Sequence, residues 1–170
     1  HEPVGEVVEL GPDATGVSVG DKRIVYPWIG CGTCNVCKDN NELLCNNPIT
    51  VGTRRNGGYA EYLLAPHAKY LVPYDGVDEA FAATAACSGI TAYSALKKLK
   101  HLTAKQTTLI IGAGGVGLAG IGMAKAILKT KIIVADIDPQ KRKAAIELGA
   151  DEVIDNGALD ASKNLMTITN

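Results

Sequence analysis

A glycine-rich turn in the second half of the chain limits most strongly what this sequence can fold into. Residues 107–111 are β-branched or apolar and come directly before the turn, and an apolar helical pattern over residues 116–128 follows it. A strand that passes through such a turn into a helix predicts the start of a strand–helix–strand unit in a parallel sheet. The turn reads Gly112-Ala-Gly-Gly-Val-Gly117, with Gly114, Gly115 and Val116 inside it.

This turn indicates a site for the pyrophosphate of a dinucleotide. Its glycines permit a tight turn and let the backbone approach the phosphates, and the amino-terminal end of the helix attracts negative charge. The glycine pattern alone is weak evidence, but Asp136 stands nineteen positions after Gly117, at the end of a second predicted strand over residues 131–135. A carboxylate there can accept hydrogen bonds from both ribose hydroxyls and repels the 2′-phosphate of NADP, so the pattern predicts NAD. A solvated strand end is the alternative role for Asp136.

A further helix is predicted over residues 139–148, after the second strand. Asp138 can cap its free amide groups, Pro139 suits its first turn, and Gly149 can adopt the left-handed conformation that ends it. Val153 and Ile154 then begin a third strand. This alternation of strands and helices predicts a parallel sheet with right-handed crossovers.

The first half of the chain has a different character. Short β-rich stretches at residues 4–10, 24–26 and 62–64 are separated by turn residues such as Gly11-Pro12-Asp13 and Asn56-Gly57-Gly58. Helix-favouring stretches follow at residues 79–83 and 91–100. The chain is therefore expected to be α/β with a β-rich part, divided into residues 1–85 and 86–170.

Charge and hydropathy exclude several partners. Lys and Arg number 17 against 18 Asp and Glu, so no basic excess is present to bind a nucleic acid backbone. No apolar run reaches the roughly 18 residues of a membrane-spanning helix, and the first residues do not resemble a signal peptide. We therefore expect a cytoplasmic protein that contacts neither nucleic acid nor membrane.

Four of the five cysteines form a compact cluster within residues 31–45. They are separated by two, two and seven residues, and in a reducing compartment such clustering favours metal over disulfides. Four thiolates around one tetrahedral ion make a closed, structural zinc site with no position open to substrate. The predicted zinc ligands are Cys31, Cys34, Cys37 and Cys45.

Three other interpretations of the cysteine cluster are possible. Bacterial ferredoxins use a final gap of three residues followed by Pro, whereas here the gap is seven and Asn46 follows. Zinc ribbons that bind nucleic acid place two cysteine pairs far apart, and this cluster has only Lys38 as nearby positive charge. Unrelated buried or disulfide-linked cysteines are the remaining alternative.

Taken together, these motifs resemble the zinc-containing medium-chain alcohol dehydrogenases along essentially the full length of the chain. The segment from His1 to Gly5 is similar to the end of the family's GHExxG motif, without its first Gly. The cysteine cluster, Gly57-Gly-Tyr-Ala-Glu-Tyr62, Cys87-Ser-Gly-Ile-Thr-Ala-Tyr93 and the dinucleotide turn then follow in the family's order. Each motif alone is weak, but the combination is specific.

The resemblance assigns roles that the residues alone would not reveal. It implies that His1 and Cys87 are ligands of a second, catalytic zinc and that Glu2 is the acid that approaches this metal during ligand exchange. It also implies that Lys141, five residues after Asp136, reaches the adenosine ribose. Without the family, His1 is an ordinary terminus, Cys87 a small buried hydrophobe and Lys141 a solvated helix residue.

The resemblance further implies a partial GroES-like catalytic domain at residues 1–85 and the first half of an NAD-binding Rossmann domain at residues 86–170. The expected function is reversible hydride transfer from a primary or secondary alcohol to NAD, giving an aldehyde or ketone, with one structural and one catalytic zinc. The alternatives are a polyol or formaldehyde dehydrogenase on the same scaffold and a non-catalytic module that binds zinc and nucleotide. A homo-oligomer is expected for the intact protein.

The same resemblance suggests a chain cut at both ends. The third protein ligand of the catalytic zinc and the Ser or Thr that relays the alcohol proton precede His1 in the family. About three strands of the nucleotide-binding sheet are predicted here, whereas a complete doubly wound sheet has six. The chain by itself is therefore expected to be inactive.

Overall fold

Two sheets of different kinds form the framework of the chain. The computed structural model describes residues 1–169, with an antiparallel sheet in the unit His1–Cys87 and a parallel sheet in the unit Ser88–Asn170. The expected division after residue 85 falls close to the boundary between these units. That each half is an independent domain stays a prediction.

The antiparallel sheet of the first unit is small. Its strands are ordered β1 (Val4–Glu6), β2 (Lys22–Val25) and β3 (Leu71–Val72). Ile24 of the central strand lies opposite Val4 on one side and Val72 on the other. A short helix, α2, packs against the sheet by burying Ala82 beside Ile24. The strands and helices of this unit are β1 (Val4–Glu6), β2 (Lys22–Val25), α1 (Asn35–Lys38), β3 (Leu71–Val72) and α2 (Glu79–Thr84), with 3-10 turns at Glu42–Leu44 and Ala68–Tyr70.

Two of the expected β-rich stretches differ from the structure. The strand expected within residues 4–10 ends at Glu6, shortly before the turn that begins at Gly11. The stretch 62–64 forms no strand, and that prediction was wrong. Tyr62 is 74% exposed and Leu64 is 75% exposed, and no strand within residues 1–169 pairs with them. A segment with β-favouring residues forms a strand only where a neighbouring strand can pair with its backbone amides and carbonyls.

The second unit contains a parallel sheet in the order β4 (Thr107–Ile111), β5 (Lys131–Ala135) and β6 (Glu152–Ile154). In the pairing of β4 with β5, Thr107 lies opposite Lys131 and Ile111 lies opposite Ala135. Helices connect successive strands, as the alternation in the sequence predicted. The elements are α3 (Ile90–Lys97), β4 (Thr107–Ile111), α4 (Gly115–Ile127), β5 (Lys131–Ala135), α5 (Pro139–Glu147), β6 (Glu152–Ile154) and α6 (Ala161–Thr169), and a π-helical turn, Ala85–Gly89, precedes α3.

The central strand β5 is buried on both faces. Ile132 and Val134 belong to a core cluster with Ile121 of α4, whereas Ile133 packs on the opposite face with Leu165 of α6. Alternate residues of a strand point to opposite faces, so an almost wholly apolar strand requires cover on both sides. An antiparallel sheet in the first unit and a parallel sheet with helices in the second agree with the α/β fold with a β-rich part that the sequence predicts.

The helix that follows β5 has the predicted ends. The Asp138 side chain accepts a hydrogen bond of 2.8 Å from the amide of Gln140, and Pro139 occupies the first turn. Gly149 has a φ of +102° just after the helix. Among residues 1–169, no helix combines the length and apolarity needed to cross a bilayer.

Candidate metal and cofactor sites

The four clustered cysteines converge on one point of the first unit. The Sγ atoms of Cys34 and Cys37 are 3.5 Å apart, those of Cys34 and Cys45 are 3.8 Å apart, and those of Cys31 and Cys37 are 4.0 Å apart. All four sulfur atoms lie within 4.8 Å of one another. The short helix α1 carries Cys37, and a 3-10 turn delivers Cys45 from the other side.

These distances fit a tetrahedral metal ion. With zinc–sulfur bonds of about 2.3 Å, a regular tetrahedron has sulfur–sulfur edges of about 3.8 Å. All five cysteines of the chain are free thiols, so the disulfide alternative is not realised. Backbone amides of Cys31 and Asn47 donate to the Cys45 sulfur at 3.4 and 3.3 Å and so fix its position in the cluster. The cluster could therefore hold zinc without rearrangement.

The thiols of this cluster differ in acidity. Hydrogen bonds from the Thr33 hydroxyl and from backbone amides lower the pKa of Cys31 to about 5. Burial raises the pKa of Cys37 to about 12. Four thiolates side by side repel one another, so the fully ionised set requires a cation among them.

Glu42, which no sequence motif indicated, connects the cysteine-containing segment to buried residues of the first unit. This segment, residues 30–45, is called the zinc lobe. Glu42 accepts hydrogen bonds from the Tyr70 hydroxyl at 2.5 Å and from the Lys69 ammonium at 2.5 Å. It also accepts one from the Gly30 amide at 3.0 Å. The contacts to Lys69 and Tyr70 hold the pKa of Glu42 at about 2. Tyr70 belongs to a buried cluster with Ile29 and Val51.

Gly30 is required where it lies between Glu42 and the cysteines. A Cβ at Gly30 would come within 2.5 Å of the Cys37 sulfur and 3.0 Å of the Glu42 Cβ. The glycine therefore allows the lobe to close around its metal-binding centre. No spacing rule in the sequence singles out Glu42, because its partners lie 12 to 28 positions away.

The glycine-rich turn has the geometry of a pyrophosphate cradle. Gly112 has a φ of +91°, and a Cβ at Gly117 would collide with the carbonyl oxygen of Gly112. Gly114 and Gly115 are exposed, and a Cβ at either would meet no atom within 4 Å. The helix α4 begins at Gly115 with no side-chain cap, so its first amides are left for an anion. Val116, also in the turn, is 47% exposed.

Asp136 lies beside this turn, directly after β5. One carboxylate oxygen accepts a hydrogen bond of 2.7 Å from the Ala113 amide, and the other accepts one of 2.8 Å from the Asp138 amide. These two amides, that of Ala113 first, lower the pKa of Asp136 and keep it ionised. The sequence predicts ribose hydroxyls as partners of the Asp136 carboxylate and does not indicate these two amides. Asp136 is buried, at 7% exposure, and each carboxylate oxygen can accept one further hydrogen bond.

Two basic residues of α5 lie near Asp136. Lys141 is exposed, and its charge contributes to the lowered pKa of Asp136. Arg142 was not expected from the sequence. Its guanidinium donates to the backbone carbonyl of Asp136 at 2.7 Å and pairs with Asp155 at 3.2 Å.

The residues that the resemblance assigns to a catalytic zinc all lie in the first unit. Ala86 is buried against β1 and β2, and the following residue, Cys87, lies in the π-helical turn. Burial, together with the negative charge of Glu2, raises the pKa of Cys87. His1 packs edge-on against Trp28 with ring centroids 4.7 Å apart. Within residues 1–169, the cysteine lobe is the one group of three or more potential ligands whose donor atoms cluster closely.

Two family models match the chain in the regions that carry these sites. The alcohol dehydrogenase GroES-like domain matches residues 1–76, and the zinc-binding dehydrogenase domain matches residues 115–170. A relative from Sulfolobus acidocaldarius, described as an NAD-dependent alcohol dehydrogenase, is 43% identical over 154 residues, covering 90% of this chain and 44% of the relative. The chain belongs to the zinc-dependent medium-chain alcohol dehydrogenase family.

Solved structures of this family have the same fold as the chain. The alcohol dehydrogenase of the archaeon Aeropyrum pernix superposes with a TM-score of 0.90 at 30% identity, over 99% of this chain and 50% of that one. The D-arabinose dehydrogenase of Sulfolobus solfataricus superposes with a TM-score of 0.87 at 29% identity, over 99% and 53%. The chain spans about half the length of the curated relatives it matches, 44 to 49%.

Membership of the medium-chain alcohol dehydrogenase family supports zinc and NAD as the cofactors of this chain.

Proposed function

We propose that this chain is part of a zinc-containing, NAD-dependent alcohol dehydrogenase that interconverts a small primary or secondary alcohol with its aldehyde or ketone. One observation carries the proposal: four thiols spaced for zinc and a dinucleotide turn with a neighbouring ionised Asp136 occur in one chain of this family. A protein that only bound zinc would have no use for the second feature. We place the enzyme in the cytoplasm and expect a homo-oligomer.

The zinc lobe serves as the structural metal centre in this proposal. Cys31, Cys34, Cys37 and Cys45 use all four tetrahedral positions, so no alcohol could reach the ion. The role of this centre is to order the lobe, because binding energy at such a site is also folding energy.

A second zinc is proposed at His1 and Cys87, with Glu2 beside it. Cys87 is half-buried, and the negative charge of Glu2 adds to the effect of burial in raising the pKa of its thiol, which supports placing the two residues in one site. A π-helical turn carries Cys87, and such turns often occur at functional sites.

The dinucleotide is proposed to lie across the glycine-rich turn. Amides at the start of α4 would face the pyrophosphate, with Gly112, Gly114, Gly115, Val116 and Gly117 forming the cradle. Asp136 would accept from the adenosine ribose hydroxyls, and Lys141 would contact the same ribose. When bound, zinc supplies charge stabilisation at the substrate oxygen and NAD accepts the hydride.

A sugar or polyol dehydrogenase is the second candidate. The superposition on the D-arabinose dehydrogenase is almost as close as that on the Aeropyrum pernix enzyme. A sugar substrate would need several hydrogen-bonding side chains in the pocket, whereas a simple alcohol would not. The two candidate functions therefore share metal and cofactor and differ in substrate class.

NADH formation by the intact gene product, followed at 340 nm with ethanol, secondary alcohols, formaldehyde adducts and polyols, tests the proposal. We expect turnover with simple alcohols, NAD preferred over NADP, and loss of activity after zinc removal with recovery on zinc addition. Turnover confined to polyols would favour the second candidate. Absence of turnover with every substrate, in a protein that binds zinc and NAD, would contradict an enzymatic role.

A further inference from the structure

The carboxyl edge of the parallel sheet carries an arginine whose charge is already engaged. The guanidinium of Arg142 lies between the ends of β5 and β6, where it donates to the Asp136 carbonyl at 2.7 Å and contacts Asp155 at 3.2 Å. Its side chain is only 19% exposed. Asp155 is itself held, since its other carboxylate oxygen accepts from the Gly157 amide at 2.9 Å.

This position matters for the choice of dinucleotide. Arginine near the adenosine ribose is the usual partner of a 2′-phosphate, because its planar fork matches phosphate geometry. Arg142 donates to the backbone carbonyl of Asp136, the residue whose carboxylate the proposed function places at the adenosine ribose. The chain thus contains a potential phosphate ligand close to a site that we expect to accept NAD.

We propose that Asp155 is a second determinant of NAD specificity, acting by holding Arg142 away from the adenosine ribose. The inference rests on the proposed function, in that it assumes a dinucleotide beside Asp136. Asp136 would exclude the 2′-phosphate by its own charge, and Asp155 would keep the nearest cation from attracting it. Replacing Asp136 alone would remove the repulsion but leave Arg142 paired, so the shift toward NADP would be smaller than when Asp155 is replaced as well.

The contacts support a positioning role for Asp155. The ion pair joins the first turn of α5 to the residue after β6, and Arg142 reaches across it to the end of β5. Asp155 is the nearest acid in contact with the guanidinium, at 44% exposure. Asn at this position retains an oxygen for the Gly157 amide but loses the charge that holds the arginine.

The test measures dissociation constants of NAD and NADP for the zinc-loaded chain by calorimetry, in variants Asp136→Asn, Asp155→Asn and the double variant. Asp136→Asn keeps an acceptor for one of the two amides and so limits damage to the turn. We expect the NADP-to-NAD affinity ratio of the double variant to exceed the product of the two single effects by about tenfold or more, the scale of one charge-assisted hydrogen bond.

Two controls separate this mechanism from simple loss of negative charge. Adding Arg142→Gln to the double variant should remove the gain in NADP affinity, because the proposed phosphate ligand is gone. Glu152→Gln removes an acid at the start of the same strand, where Glu152 pairs with Lys131 at 3.7 Å, and should leave the ratio unchanged.

The possible failures are distinguishable. If the unaltered chain binds neither NAD nor NADP, the proposed function fails and this inference fails with it. If it binds NAD with preference but Asp155→Asn adds nothing to Asp136→Asn, or the gain survives Arg142→Gln, only the role of Asp155 is overturned.

Discussion

At the scale of single residues, Glu42 connects the proposed zinc centre to the rest of the first unit. Its carboxylate accepts three hydrogen bonds. One comes from the amide of Gly30, next to the first cysteine, and the other two come from the Lys69 ammonium and the Tyr70 hydroxyl. The side chain is 18% exposed. A partly buried carboxylate with charged partners holds two segments together more firmly than an exposed pair would.

We predict that Glu42→Gln loosens the zinc lobe. Loss of the charge weakens the contacts to Lys69 and Tyr70, at a cost of about 1 to 3 kcal/mol to the first unit, and zinc should leave faster under chelator. Denaturant unfolding and a chromogenic zinc indicator measure both effects. The exposed Glu9→Gln is the matched control. Equal zinc release from the Glu42 and Glu9 variants would show that the lobe does not depend on this anchor.

At the scale of elements, one acidic residue joins helix α4 to strand β5. Asp151 accepts from the Lys125 ammonium of α4 at 2.5 Å and from the Ile132 amide at 2.8 Å. The hydrogen bond from Lys125, followed by that from Ile132, lowers the pKa of Asp151. The junction therefore depends on an ionised carboxylate at the amino-terminal side of the sheet.

The stabilisation by Asp151 should depend on pH. Because its pKa is lower in the folded chain, the contribution is complete above the unfolded pKa of about 3.9 and is lost as pH falls through the lower folded pKa. Asp151→Asn should cost about 1 kcal/mol or less at pH 7, as for a partly exposed ion pair, and less than this near pH 3. Hydrogen exchange of β5 amides in both proteins measures the difference. A gap that is constant between these pH values would contradict the ionic origin.

At the scale of the whole molecule, the proposed metal and nucleotide sites lie in different units. The four cysteines belong to His1–Cys87, and the glycine-rich turn with Asp136 belongs to Ser88–Asn170. Each unit therefore carries the residues of one of these two proposed sites.

We predict that the 170-residue chain by itself holds one zinc firmly and binds NAD but oxidises no alcohol. A catalytic zinc has three protein ligands, so the two proposed here, His1 and Cys87, would hold a second zinc weakly. Displacement of a reacting group by about 1 Å can cost 10²-fold in rate. Elemental analysis counts zinc per chain, calorimetry measures NAD binding, and absorbance follows NADH. Cys45→Ser should lose the zinc. Turnover comparable to that of a full-length relative would show that the additional ligand is dispensable.

The sequence alone was sufficient for much of the second unit and for the clustering of the four cysteines. The strands 107–111 and 131–135, the cap Asp138 and the stop at Gly149 follow from local rules, because strand pattern, helix caps and left-handed glycines depend on neighbouring residues. The cysteine spacing likewise predicted a cluster that the structure brings together.

Only the tertiary structure decided which distant residues support these sites. Glu42 meets Tyr70 across 28 positions, and Arg142 meets Asp155 from a different element. Residues 62–64 looked like a strand but have no partner within residues 1–169. The physical reason is the same in each case: a hydrogen bond, an ion pair or a strand ladder needs two groups in contact, and sequence pattern describes only one of them.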